Sequence, residues 1–265
     1  MFFKDFEYDG VKLSDMDFVI CSFDGGRDME TVPNGGDLTF NTVSEYNGKH
    51  WLLTNSIYEE ALTATFHICP DPCKFQLGDP IDEQTNRKIM RWLNRRTYNK
   101  FKPIIAGSDV HFFGSFIVKG QLFNGNLIGY ELTLQTDRPF GIGDPVTISF
   151  EIGQGETYSF EDTSDEIGYI YPKMEVTLKS AGTLNIYNSI EPEWGTTIMN
   201  CISGEKITFD HPMISTSMPS HKIQEDFDYN FPRICNTYTN NLNQMTFSLP
   251  CDVTMTYSPV RKVGL

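Results

Sequence analysis

Apolar and polar residues alternate along most of this chain, the period of half-buried β-strands, and they take a helical period in one stretch only. That stretch is Asp82–Phe101. Pro80 stops what precedes it, Asp82 or Thr85 can cap the first free amides, and Pro103 closes it. On a helical wheel Ile89, Met90, Leu93, Thr97 and Phe101 gather on one side, while Arg87, Lys88, Arg91 and Arg95 gather on the other. The pattern predicts one amphipathic helix over residues 82–101.

The rest reads as strands. FFKDFEYDGVKL turns at Asp9-Gly10, and DFVICSFD alternates up to Gly25-Gly26. In LTATFHIC, Leu62, Ala64, Phe66 and Ile68 share one face. HFFGSFIVKG and NLIGYELTLQT then flank a turn at Asn124-Gly125-Asn126. Residues 31–55 are polar and rich in turn residues, too long for a tight hairpin. They read as an extended arm or long loop with Trp51-Leu52-Leu53 as its anchor. Such an arm is costly to order alone, so it is expected to reach over a neighbouring subunit. Arg138-Pro139-Phe140-Gly141 marks a junction. Beyond it TISFEI, YPKMEVTLKS, GTLNIYNS, EKITFD, NQMTFSLP and CDVTMTYSP alternate with turns, as a two-sheet sandwich requires, and no second helix is drawn. The expected fold is mainly β, with domains at 1–140 and 141–265.

Charge sharpens the reading of the helix. The chain has 265 residues, a length that suits two domains, and a formal net charge of −14. Yet between Gln84 and Ser108 it carries Arg87, Lys88, Arg91, Arg95, Arg96, Lys100 and Lys102 with no acid among them. An isolated basic face on an acidic body is either solvated, paired with an acidic protein neighbour, or a nucleic-acid contact. The sequence pI of 4.7 opposes the last of these, because long-range attraction to phosphate would be lacking.

Composition excludes several classes. Hydrophobic content of 39% with 20 Phe and 12 Tyr supplies a core without disulfides. No run of 18 apolar residues exists, so no membrane insertion is expected, and MFFKDFEYDG does not read as a secretion signal. Of Cys21, Cys69, Cys73, Cys201, Cys235 and Cys251, only Cys69 and Cys73 are close in sequence, and no second cluster completes four zinc ligands. Reduced thiols made in a cytosol are the simplest account, with Cys69 and Cys73 the pair placed to oxidise.

Catalytic chemistry is not visible. His50, His67, His111, His211 and His221 lie far apart, and neither a phosphate-binding glycine loop nor a nucleophile elbow is present. Glu161-Asp162 and Asp165-Glu166 could be paired glycosidase carboxylates, but they sit in a polar turn segment that reads as solvated loop. No enzyme and no cofactor are expected. One group suits a glycan contact in a sandwich: Trp194 with Glu191 and Glu193, an aromatic plate beside polar side chains.

The second half resembles the C-terminal domain of siphophage distal tail proteins. The matching segments are Tyr171-Pro172-Lys173-Met174-Glu175-Val176, Leu184–Ser189, Gly204–Asp210, Phe231-Pro232-Arg233-Ile234 and the final strand Val253–Arg261. The first half is similar in Arg91-Trp92-Leu93, in Tyr130–Leu134 and in Asp137-Arg138-Pro139-Phe140-Gly141. This resemblance implies a tail-tube-like β-sandwich with one flanking helix, assembled as a homohexameric ring, followed by a galectin-like β-sandwich. It implies a structural hub at the virion tail tip, assembled in the host cytoplasm. Its partners would be the major tail tube protein and the tail-associated tip or lysin protein, with receptor-binding proteins on its outer side. DNA would only pass through the lumen. The long insertions by which some relatives carry extra carbohydrate-binding modules are missing. The face of Arg87, Lys88, Arg91 and Arg95, together with Trp51, is the expected assembly surface. The alternative function is a lectin using the C-terminal sandwich.

Overall fold

The computed structural model describes residues 3–23, 36–44, 51–58, 60–76 and 78–263. It divides into two compact units, Met1–Ile142 with Lys262–Leu265, and Gly143–Arg261. The protein is mainly β with one main helix, as the alternation predicts.

The first unit opens with β1 (Phe6–Tyr8) and β2 (Val11–Lys12), joined through Asp9 and Gly10 at φ of 51° and 79°. Two consecutive left-handed residues make the tight turn whose twist matches its flanking strands, which is why Asp-Gly marked it. There follow β3 (Phe18–Cys21), β4 (Leu38–Ser44), β5 (Trp51–Tyr58) and β6 (Thr63–Pro70), then helix α1 (Glu83–Leu93). The unit continues with β7 (Asn99–Pro103), β8 (Phe112–Phe123), β9 (Asn126–Thr136) and the short β10 (Gly141–Ile142). Seven of these strands form one sheet in the order β2-β1-β7-β8-β9-β6-β3. The turn between β8 and β9 repeats the device, with Asn124 and Gly125 both at positive φ.

Helix α1 closes one face of this sheet. Asp82 is its N-cap, accepting from the Thr85 amide at 2.8 Å, and that bond holds the Asp82 carboxyl below its usual range. Ile89, Trp92 and Leu93 are buried. Trp92 stacks on Phe6 at 5.8 Å and donates from Nε1 to the Tyr8 carbonyl at 2.9 Å, while Asn86 accepts from the Tyr130 hydroxyl at 3.0 Å. Burial of each such side chain stabilises by about 1.5–3 kcal/mol.

The helix is shorter than the sequence predicts. It stops at Leu93, where Asn94 adopts a non-helical backbone, and residues 99–103 form β7 between β1 and β8. Phe101 is buried because it pairs with Tyr8 and Phe112 in the sheet, and Pro103 ends a strand instead of a helix. A second difference concerns the polar segment. β4 and β5 pair antiparallel from Leu38↔Tyr58 to Ser44↔Trp51, so it is a two-stranded ribbon in its described part, and residues 31–35 and 45–50 lie outside the described residues. Third, the thiol next to Cys69 is Cys21, across β3 and β6. Their hydrogen bond lowers the Cys69 pKa and pushes Cys21 up. Cys73 is exposed, and its amide is bonded to Asp71.

The second unit is a sandwich. One sheet holds β11 (Val146–Ile152), β14 (Lys173–Leu178), β17 (Lys206–Asp210), β18 (Met213–Thr216) and β21 (Cys251–Tyr257), in the order β11-β21-β14-β17-β18. The other holds β12 (Thr157–Glu161), β15 (Gly182–Asn188), β16 (Gly195–Cys201) and β20 (Leu242–Phe247), in the order β12-β20-β15-β16. A separate pair joins β13 (Gly168–Ile170) to β19 (Ile234–Asn236). Alternate residues of both sheets, including Met174, Val176, Leu184, Ile186, Ile207, Phe209 and Phe247, form one buried core. A single helical turn, α2 (Ile223–Asp226), which the periodicity did not reveal, buries Ile223 in that core.

Candidate functional site

The docking of Trp92 and Leu93 fixes which side of α1 faces out. Arg87, Lys88 and Arg91 are exposed there, and among the described residues none of them has an ion-pair partner. Arg95 does not join them as the helical wheel predicts. It lies beyond the helix end, and its guanidinium is paired with Asp9 in the first turn while its carbonyl accepts from Ser115 at 2.6 Å. The two side chains are 34% and 46% exposed, so this pair contributes about 0–1 kcal/mol. Trp51 lies in β5, but its side chain is outside the described residues.

The β4–β5 ribbon pairs with no third strand among the described residues. Leu38, Phe40 and Ile57 stand exposed on it, Phe40 at 60%. Its base is held by Tyr58, whose ring meets Phe140 edge-on at 6.2 Å, and by Gly36 against Pro139. A lone two-stranded ribbon is marginal in water. Its apolar side chains are the kind of surface that a partner covers.

In the second unit, the turn after β15 carries Glu191, Glu193 and Trp194. Asn188 shapes it, accepting from the Ile190 amide at 3.3 Å and donating to the Arg233 carbonyl at 3.0 Å. Buried Asn243 bonds Asn188 and both main-chain groups of Cys235, which ties the turn to β19. Arg233 stacks on the Trp194 ring at 3.6 Å and the Tyr169 ring at 4.2 Å, and its Nε lies 2.6 Å from Glu191 Oε2. The direction of that approach makes it an ion pair and not a hydrogen bond. Glu191 also accepts from the Cys235 thiol, whose pKa is pushed up to about 12, first by burial and then by this bond. Sequence reasoning found three members of this cluster and missed Arg233 and Tyr169, which are remote along the chain.

A second cluster was not visible in the sequence at all. Glu205 is fully buried, and its carboxylate accepts from His221 Nδ1 at 2.6 Å, the Ile202 amide at 2.8 Å and the Thr216 hydroxyl. The other ring nitrogen of His221 faces the Met199 carbonyl at 3.0 Å and Asp226 at 3.3 Å. Every one of these groups faces a protein partner, so the cluster is structural. Asp162 is likewise buried and closes its own loop by accepting from the Ser164 amide and hydroxyl. Among the described residues, no group of three or more His, Cys, Asp or Glu is arranged to hold a metal ion.

Comparison with known proteins places this geometry. A family of phage tail protein N-terminal domains matches residues 1–138, and a family of phage tail C-terminal domains matches residues 140–257. Among solved structures, the Dit protein of phage SPP1, presented as a paradigm of the hub adsorption apparatus in phages infecting Gram-positive bacteria, aligns with a TM-score of 0.64. The identity is 13%, over 96% of this chain and 98% of that one. A chain of the phage P2 baseplate in its activated conformation with Ca aligns with a TM-score of 0.48 and 7% identity, over 97% of this chain and 98% of its own. No curated protein matches the sequence. The fold is that of SPP1 Dit.

Proposed function

The chain belongs to the phage tail protein family through both of its units, and from that premise we propose that it is a distal tail hub. Six copies close into a ring at the virion tail tip, joined to the major tail tube protein on one side and to the tail-associated tip or lysin protein on the other. Receptor-binding proteins attach to the ring, and DNA passes through its lumen. The ring assembles in the host cytoplasm. The observation that carries this reading is the β4–β5 ribbon, which exposes Leu38, Phe40 and Ile57 and has no described strand beside it. Laid over the next copy, each ribbon would gain the cover it lacks, and a head-to-tail contact repeated around a closed rotation generates a ring.

Electrostatics supports the same arrangement. Every copy adds a formal charge of −14, and a lumen lined with Lys or Arg would hold phosphates through released counterions. Acidic and neutral side chains therefore line the channel, and Arg87, Lys88 and Arg91 face an acidic neighbour or solvent. Phe40→Asn together with Ile57→Asn should abolish ring formation in size-exclusion chromatography with light scattering. The melting temperature should stay within a degree or two, because both side chains are exposed in the single copy. Rings that persist at wild-type concentration dependence would remove the ribbon from the interface.

A further inference from the structure

Cys21 and Cys69 meet on the outer face of the β3–β6 pair. Val19 faces Cys69 and Cys21 faces His67 in register, so the two thiols are diagonal neighbours. Ile20, Phe66 and Ile68 of the same strands pack into the core, which leaves both thiols on the opposite face, half-buried. We propose that they form a reversible redox lock: oxidation joins Cys21 to Cys69 and staples the edge strand β3 to β6. The bond belongs to the single chain. Only its timing, open in the host cytoplasm and closed outside the cell, rests on the hub reading.

The chemistry selects this pair. Cys201, Cys235 and Cys251 are buried, and burial pushes their thiols up to about 11, 12 and 12, so they stay protonated and unreactive. Cys69 differs. The Cys21 thiol donates to it, which holds the Cys69 pKa below its usual value and pushes Cys21 up. Cys69 is therefore the attacking thiolate. With a small disulfide such as oxidised glutathione, the Cys69 sulfur bonds to one glutathione sulfur, and the other leaves as a thiolate. That thiolate takes the Cys21 proton. The Cys21 sulfur then attacks Cys69 and expels the second glutathione. One glutathione disulfide is reduced to two thiols, and the two cysteines are oxidised to one disulfide.

The fold makes closure cheap. Diagonal pairs stand about 7–8 Å apart at Cα, beyond the span of most disulfides. Here β3 is the last strand of its sheet, β6 is its one neighbour among the described strands, and Cys21 is its final residue. The strand end can therefore close on Cys69 with little loss of pairing. The bond encloses roughly fifty residues, β4 and β5 among them, and restricts the unfolded chain accordingly.

The test treats the native full chain with oxidised glutathione, blocks the remaining thiols, and maps disulfides by mass spectrometry of non-reduced peptides. A Cys21–Cys69 link is expected, with the mass lower by two hydrogens and amide exchange across residues 18–21 slowed about tenfold or more. Dithiothreitol should reverse both changes. Cys21→Ser removes the second thiol and should instead trap glutathione on Cys69, whereas Cys73→Ser should leave the link intact. Exposed Cys73 is the internal control for oxidation. Three results would overturn the proposal: Cys73 modified while Cys21 and Cys69 stay as thiols, a Cys69–Cys73 link in place of Cys21–Cys69, or a Cys21–Cys69 link that leaves exchange in β3 unchanged. Ring formation measured on reduced and oxidised samples reports on the hub reading separately, since the link forms in a monomer as well.

Discussion

Glu205→Ala is expected to destabilise the C-terminal unit by about 3–5 kcal/mol, because each buried donor left without its acceptor costs about 1–3 kcal/mol. The carboxylate is fully buried and serves three donors from three places in the chain: His221, Thr216 and the Ile202 amide. Alanine leaves all three facing a void that no other side chain fills. Glu205→Leu combined with His221→Leu should cost less than Glu205→Ala alone, because it removes one of the three stranded donors and restores apolar volume. Hydrogen exchange of residues 143–261 in denaturant would measure this without assuming that both units unfold together. A loss in Glu205→Ala below about 1 kcal/mol would mean that the three donors find other acceptors.

Trp92→Ala should cost the N-terminal unit about 3–5 kcal/mol, the range for emptying an aromatic core site. The indole is 5% exposed, stacks on Phe6 and holds the Tyr8 carbonyl, so it fastens α1 to the first strand of the sheet. Trp92→Phe keeps the stacking and loses only the hydrogen bond, for about 1 kcal/mol. The consequence would extend to the proposed assembly face, since Arg87, Lys88 and Arg91 are displayed by this helix. Protection of the 83–93 amides should fall in Trp92→Ala ahead of any global transition. Unchanged protection would show that Ile89 and Leu93 suffice to dock the helix.

What the sequence revealed and what it hid follow one physical division. Local signals were reliable: Asp9-Gly10 and Asn124-Gly125 mark turns because positive φ is a property of the residues themselves. Alternation marked Ala64, Phe66 and Ile68 as one buried face because side-chain direction in a strand is fixed by period two. The errors arose where partners far along the chain decide. Lys100-Phe101-Lys102 suits a basic helix as well as a strand, and only pairing with β1 and β8 selects the strand. Arg95 seemed part of a basic face, yet Asp9, distant in sequence, captures it. The ribbon was read as an extended arm or long loop because the segment is polar and rich in turn residues, while the pairing of its two strands spans the stretch between them. At the turn after β15, Trp194 and its two glutamates were legible as neighbours, whereas Arg233 and Tyr169 arrive through the β13–β19 pair.

The hub reading stands on ring closure, and the mass of the purified full chain in solution tests it most directly. Native mass spectrometry with negative-stain images, across a concentration series and with the tail tube protein added, should give a single species of six copies with an open centre. A chain of 30.2 kDa that remains monomeric at every concentration, with and without the tube protein, would contradict it.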